Sequence, residues 1–185
     1  MTMLDEIRRA SAEDFEAVCA FYEEVCIANE NEPYGPVWHY GIYPSPEDIC
    51  GHLDRNELMI GLRSGHVCSA MVLTDREDPI YAHVPWNLPA EAEEVSVLHL
   101  FAVHPRYRGR GVSQEMMNAM FEYAGDAGKK RIHLDVVKGN LPAEKLYRKI
   151  GFCFVCEMEV FYEDTGNLTV ELYEFDLTKR NRANA

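Results

Sequence analysis

The fold is decided by residues 95–113, which read VSVLHLFAVHPRYRGRGVS. Val95 to Val103 is a continuous apolar run interrupted by His99, a pattern typical of a central strand that is buried on both faces. A turn with two glycines follows, and a helix is expected from about Val112. Glycines at such a turn allow several backbone N–H groups to point at one anion, and the helix dipole adds partial positive charge. The stretch therefore predicts a buried strand that ends in a phosphate-binding turn.

Three arginines, Arg106, Arg108 and Arg110, fall within a stretch of five residues at this turn and strengthen the prediction of a phosphate site. The turn does not fit the other phosphate motifs, because it contains neither G-x-x-x-x-G-K-(S/T) nor G-x-G-x-x-G with a following acidic ribose ligand. The alternative is a plain strand-to-helix turn that carries exposed basic residues.

The neighbouring segments continue an alternation of strand and helix. A strand is predicted from Ile132 to Val137 and a helix from Pro142 to Ile150, so that the region forms a βαβ unit in a partly parallel sheet. Further out, the periodicity predicts helices from Ser11 to about Ala28 and from Ser45 onward, a hairpin over residues 58–62 and 67–73, and a closing antiparallel pair over residues 152–162 and 168–177.

A second informative segment, residues 140–152, reads NLPAEKLYRKIGF. Asn140 can cap the helix, and Ala143 and Tyr147 lie one turn apart on one helix face. The phenol therefore projects beside a surface that a ligand can approach closely. The alternative is an ordinary capped helix that ends at a glycine.

In these two segments the chain resembles the GCN5-related N-acetyltransferase (GNAT) superfamily. In the first segment, the residues that resemble the pyrophosphate motif (Q/R)-x-x-G-x-(G/A) of the family are Arg108, Gly109, Arg110, Gly111, Val112 and Ser113. Ser113 stands where the family usually has glycine or alanine. The second resembles its N-x-x-A-x-x-x-Y-x-x-x-G-F segment through Asn140, Ala143, Tyr147, Gly151 and Phe152.

The resemblance implies an α+β fold in an α/β/α arrangement. A mixed, mostly antiparallel central sheet is expected, whose fourth and fifth strands splay apart and which is flanked by about four helices. We expect residues 1–177 to form a single GNAT acyltransferase domain and the polar residues 178–185 to form a disordered tail.

The same resemblance implies an acetyl-CoA-dependent N-acetyltransferase. The acetyl group would pass to the amine of a small-molecule acceptor by direct attack in a ternary complex. By resemblance, a main-chain N–H near Phe101 binds the developing oxyanion, Val103 contacts the pantetheine arm through its backbone, and Tyr147 protonates the leaving thiolate. Two alternatives stay open: a non-catalytic acyl-CoA-binding or sensing protein, and a structural subunit of a homodimer with a vestigial site.

Attack requires a neutral amine, and deprotonating a lysine-like amine at pH 7 costs about 4 to 5 kcal/mol. In the family the central strand often carries a glutamate for this purpose, and here Val97 occupies its place. His99 lies two residues further, on the same side of the strand, and an imidazole can accept a proton. A core histidine bonded to a carbonyl is the alternative, and Glu94 and Asp135 are the reserve bases.

The charge distribution predicts an anion site in an acidic protein. The formal net charge is −13, yet residues 106–149 carry ten Lys and Arg against five Asp and Glu. A local basic island indicates a small anionic ligand rather than nucleic acid, which needs a broader basic face, although a solvated charge cluster is the alternative. Residues 1–94 hold nineteen acidic and five basic side chains, which mildly favours a cationic acceptor.

The remaining signals predict no membrane segment and no metal. Neither a signal peptide nor a long apolar run occurs, so we expect a cytoplasmic protein whose six cysteines are thiols. Cys153 and Cys156 have C-x-x-C spacing, but residues three apart in a strand are expected to face opposite sides and therefore not to share a metal. The histidines show no metal-ligand spacing.

Overall fold

The computed structural model describes residues 2–30, 32–77, 79–162 and 165–183. Within these residues the strands are β1 (Glu6–Arg9), β2 (Leu58–Arg63), β3 (His66–Thr74), β4 (Val95–Val103), β5 (Arg131–Val137), β6 (Cys153–Tyr162) and β7 (Gly166–Asp176). The α-helices are α1 (Phe15–Asn29), α2 (Pro46–Asp54), α3 (Val112–Asp126), α4 (Leu141–Ile150) and α5 (Leu177–Ala183). Short 3₁₀ turns cover Ala12–Asp14, Pro79–His83, Ala92–Glu94 and Pro105–Tyr107.

The strands form one seven-stranded sheet in the order β1-β2-β3-β4-β5-β7-β6. β4 and β5 run parallel, whereas the β1–β2, β2–β3, β5–β7 and β6–β7 pairs are antiparallel. The parallel register joins Val95–Val97 to Arg131–His133, so it covers only the first part of each strand, as expected for a splayed pair. The predicted α+β fold with a mostly antiparallel sheet is confirmed.

The chain divides into two compact units, of which the first comprises Met1–Glu32, Trp38–Leu73 and His99–Met120. The buried side chains of α1 are Val18, Cys19, Phe21, Tyr22, Val25 and Cys26. They pack with side chains of β2 and β3 in a core that includes Val18, Tyr22, Val25, Ile49, Ile60, Ala70 and Val72.

The second unit comprises Pro33–Val37, Thr74–Leu98 and Phe121–Ala185. On one face of β5, β7 and β6, a cluster forms between the strands and the segment around Tyr81 and Val84, and it includes Val97, Val160, Val170 and Leu172. Elsewhere in this unit the aromatic rings of Phe121 and Phe175 stack with their centroids 4.1 Å apart. These rings join α3 to β7.

Three local features differ from the sequence-based expectations. β1 was not predicted, because four residues that carry three charges and little burial show no strand periodicity. The last turn of the chain also differs, because α5 covers Leu177–Ala183, where a disordered tail was expected; residues 184 and 185 lie outside the described residues.

The third difference concerns the two cysteines of β6. The β6–β7 register shifts between Phe154 and Cys156, which places Cys153 opposite Glu174 and Cys156 opposite Leu172. Glu174 and Leu172 are two residues apart in β7 and therefore share a face. The expectation that the thiols face opposite sides is wrong, because a bulge adds one residue to β6 between them.

The described part of the chain contains no cluster of three or more His, Cys, Asp or Glu side chains that could hold a metal ion. Among the same residues, no helix combines the length and apolar character that crossing a membrane requires.

Candidate functional site

The turn after β4 is attached to α1 through His104. Its Nδ1 accepts a hydrogen bond from the backbone N–H of Arg106 at 3.2 Å, and its Nε2 lies 2.8 Å from Oε2 of Glu24 in α1. These partners assign the tautomer, because Nδ1 must accept while Nε2–H donates. Sequence reasoning gave His104 no structural role, although a histidine before Pro105 at the start of a short helical turn is a recognisable capping position.

The glycines of this turn adopt conformations that side chains rarely take. Gly109 has φ +72° and Gly111 has φ +88°, and a Cβ atom added at either position would meet no other atom within 4 Å. The carbonyl of Gly111 accepts the backbone N–H groups of Gln114 and Glu115, so that α3 begins directly after it. The first N–H groups of an α-helix have no partner within the helix. The open backbone in front of α3 therefore suits a phosphate-type anion.

The arginines of the turn have different surroundings. Nε of Arg108 donates to the carbonyl of Val103 at 3.2 Å, and Nη2 donates to Oδ1 of Asn29 at 2.9 Å. Arg108 therefore braces the turn against the end of α1. Arg110 is exposed, Val112 is buried and Ser113 is half-buried.

The centre of β4 is distorted at Leu100, which has φ +49°. The buried phenol of Tyr22 donates to the carbonyl of Leu100 at 2.8 Å. A non-glycine residue in this conformation costs about 1–3 kcal/mol and persists where the surroundings hold it, commonly at functional sites. The half-buried side chains of His99, Phe101 and Val103 flank this position.

In the second unit, α4 carries the other predicted residues. Oδ1 of Asn140 accepts the backbone N–H of Ala143 at 3.3 Å, which confirms the predicted cap, and Gly151 ends the helix at φ +110°. The ring of Tyr147 packs against Phe152 with centroids 5.5 Å apart. Burial, and to a lesser extent the charge of Asp135, raise the pKa of Tyr147 well above its ordinary value. The phenol is therefore protonated at pH 7.

The two reserve bases have different partners in this unit. The carboxylate of Glu94 pairs with Nζ of Lys130, and this hydrogen bond lowers the pKa of Glu94. Glu94 is therefore a weak base. One carboxylate oxygen of Asp135 accepts a short hydrogen bond from the phenol of Tyr81, which lies in the long connection between β3 and β4.

The structure thus groups the predicted residues into two sets. The first unit contains His99, Phe101, Val103 and the turn from Arg108 to Ser113. The second unit contains Asn140, Ala143, Tyr147 and Asp135.

Residues 20–152 match the sequence model of a family described as the acetyltransferase (GNAT) family. The spermine/spermidine N(1)-acetyltransferase of Bacillus subtilis strain 168 is 33% identical over 63 residues, which cover 34% of this chain and 41% of that protein. The streptothricin acetyltransferase of Streptomyces lavendulae is 28% identical over 82 residues, which cover 44% of this chain and 40% of that protein. The chain thus spans less than half the length of these curated relatives.

Solved structures share the fold at low sequence identity. A GNAT-family acetyltransferase from Streptococcus agalactiae 2603 has a TM-score of 0.75 at 17% identity and covers 95% of this chain and 98% of its own. The Salmonella typhimurium protein yncA, solved with its cofactor acetyl-CoA, has a TM-score of 0.66 at 16% identity and covers 93% of each chain.

Proposed function

Because the chain belongs to the acetyltransferase (GNAT) family, we propose that it transfers the acetyl group of acetyl-CoA to the amine of a small-molecule acceptor by direct attack in a ternary complex. The observation that carries the proposal is the open glycine turn in front of α3, where backbone N–H groups and the helix dipole suit a pyrophosphate. The proposal includes a cytoplasmic location. The names of the relatives that act on spermine, spermidine and streptothricin support a small amine as the acceptor.

On the coenzyme side, we assign the pyrophosphate to Arg108, Gly109, Arg110, Gly111, Val112 and Ser113. Gly111 supplies open backbone, Arg110 supplies an exposed guanidinium, and Arg108 holds the turn in shape through Val103 and Asn29. Asn140 and Ala143 shape the start of α4, which carries Tyr147.

The chemical step needs an oxyanion donor and an acid. We assign the donor to the main-chain N–H near Phe101, supported by the distortion at Leu100. The amine nitrogen bonds to the carbonyl carbon, the carbon–sulfur bond breaks, and Tyr147 donates its proton to the departing sulfur. A thiolate with a pKa of about 8.5 leaves readily, so the proton assists this step rather than making it possible.

The proton that the amine loses must go to a base. We keep His99 in this role because an imidazole titrates near neutral pH and His99 is only half-buried in β4. Glu94 is less suitable because Lys130 lowers its pKa.

The test begins with calorimetric titration of acetyl-CoA. Gly111→Asp should abolish binding, because the added carboxylate enters the space in front of α3 and repels the pyrophosphate. Gly65→Asp is the matched control, since Gly65 has φ +77° in the β2–β3 turn with no atom within 4 Å of an added Cβ, so both variants suffer similar backbone strain. Equal affinity in the two variants would contradict the coenzyme site.

Turnover is then measured as thiol release with a panel of amines. Tyr147→Phe should lower kcat by about 10- to 1,000-fold, as expected for loss of a general acid, while acetyl-CoA affinity stays within a few-fold. Tyr34→Phe is the control, because Tyr34 is 51% exposed. Binding of acetyl-CoA without acetylation of any amine would favour the non-catalytic sensing protein.

A further inference from the structure

Asp135 is a half-buried carboxylate in β5. Within residues 2–30, 32–77, 79–162 and 165–183 it accepts a hydrogen bond from Tyr81, and no Lys, Arg or His of these ranges forms an ion pair with it. A carboxylate removed from water is costly unless a positive charge or several hydrogen bonds compensate it. The carboxylate is therefore available to pair with a cation supplied from outside the chain.

The surroundings hold this carboxylate in one place. Tyr81 is 1% exposed, and its ring meets that of Trp86 edge-on with centroids 5.7 Å apart. Trp86 in turn stacks on His133 with ring centroids 3.5 Å apart. The ring of Tyr81 is thus held by its contact with Trp86, and its phenol orients one oxygen of Asp135, which makes Tyr81 a positioning residue.

The position of Asp135 in the strand connects it with the reaction. His133 is the last residue of β5 that pairs with β4, and Asp135 lies two residues beyond it. Its negative charge contributes to raising the pKa of Tyr147, so the two side chains are within electrostatic reach of each other. The carboxylate consequently lies near the group to which we assign protonation of the thiolate.

We propose that Asp135 binds a second, non-reacting ammonium group of the acceptor, which makes diamines or polyamines the preferred acceptor class. This inference rests on the proposed acetyltransferase function. The ammonium is assigned to a non-reacting nitrogen because a carboxylate stabilises the protonated form of its partner. An ion pair with Asp135 would therefore oppose the deprotonation that the attacking nitrogen needs. The excess of acidic side chains in residues 1–94 favours the same class of acceptor.

The experiment compares 1,4-diaminobutane with n-butylamine, which has the same carbon chain and lacks the second nitrogen. The wild-type protein should prefer the diamine, and Asp135→Asn should reduce this preference in kcat/KM by about 10- to 100-fold, mainly through KM of the diamine. Acetyl-CoA affinity should stay within about three-fold of wild type, and any effect of the lost charge on Tyr147 falls on both amines and therefore cancels in the ratio of their kcat/KM values. Tyr81→Phe should weaken the preference in the same direction but less.

Asp126→Asn is the matched control. Asp126 is exposed at the end of α3, and its substitution removes the same charge elsewhere in the second unit. An unchanged diamine preference in Asp135→Asn would overturn the proposal, as would an equal loss of n-butylamine turnover. If the wild-type protein acetylates no amine, the acetyltransferase proposal fails. Calorimetric titration of 1,4-diaminobutane then tests by itself whether Asp135 binds an ammonium group. Binding to the wild type that Asp135→Asn abolishes supports the site, and absence of binding to the wild type refutes it.

Discussion

Removing the phenolic oxygen of Tyr22 should destabilise the protein and disturb β4. Tyr22 is 0% exposed and donates to the carbonyl of Leu100 at 2.8 Å. Tyr22→Phe leaves that buried carbonyl without its partner, which costs about 1–3 kcal/mol. For a protein of 150–250 residues, each kcal/mol lowers Tm by about 2–4 °C, so Tm should fall by roughly 2–12 °C.

The same bond helps to hold Leu100 at φ +49°, a conformation that costs about 1–3 kcal/mol. Without it β4 can relax toward regular strand geometry, which moves the N–H that we assign to the oxyanion. We therefore expect kcat to fall beyond what the loss of Tm explains, measured well below the melting range. Tyr34→Phe is the control, because Tyr34 is 51% exposed. A Tm equal to that of Tyr34→Phe would refute the stability argument, and an unchanged kcat would refute the link between Leu100 and catalysis.

Two further predictions concern buried charges. Burial lowers the pKa of His133, although Glu77 opposes the shift. The unfolded chain therefore binds more protons than the folded protein near pH 6, and the free energy of unfolding should fall as the pH drops through about 6.5. Urea unfolding between pH 7.5 and 5 should show this slope, and His133→Gln should flatten it; an identical slope in that variant would assign it to other groups. The guanidinium of Arg131 lies 2.8 Å from the carboxylate of Asp176, and Asp176→Asn removes this charge partner. The free energy of unfolding, measured by chemical denaturation, should fall by about 3–5 kcal/mol, whereas Asp126→Asn should change it little. Equal losses in the two variants would mean that the buried pair contributes nothing.

The elements around the glycine turn were predictable because their signals are local. The apolar run of β4, the glycines before α3 and the Asn140 cap of α4 each lie within about a dozen residues and act through backbone geometry. By contrast, β1 is too short and too charged to show a strand period, and the bulge in β6 depends on how its residues pair with β7. That bulge is why the expected placement of Cys153 and Cys156 was wrong.

The sequence by itself determined the order of β2 to β7 and of α1 to α4, the glycine turn before α3 and the position of Tyr147 in α4, since periodicity, glycine conformation and capping are properties of neighbouring residues. Only the tertiary structure decided which polar groups meet. Tyr22 and Leu100 are 78 residues apart, and Tyr81 and Asp135 are 54 residues apart. Contacts over such separations depend on how the whole chain packs, and they leave no repeating pattern in the residues on either side.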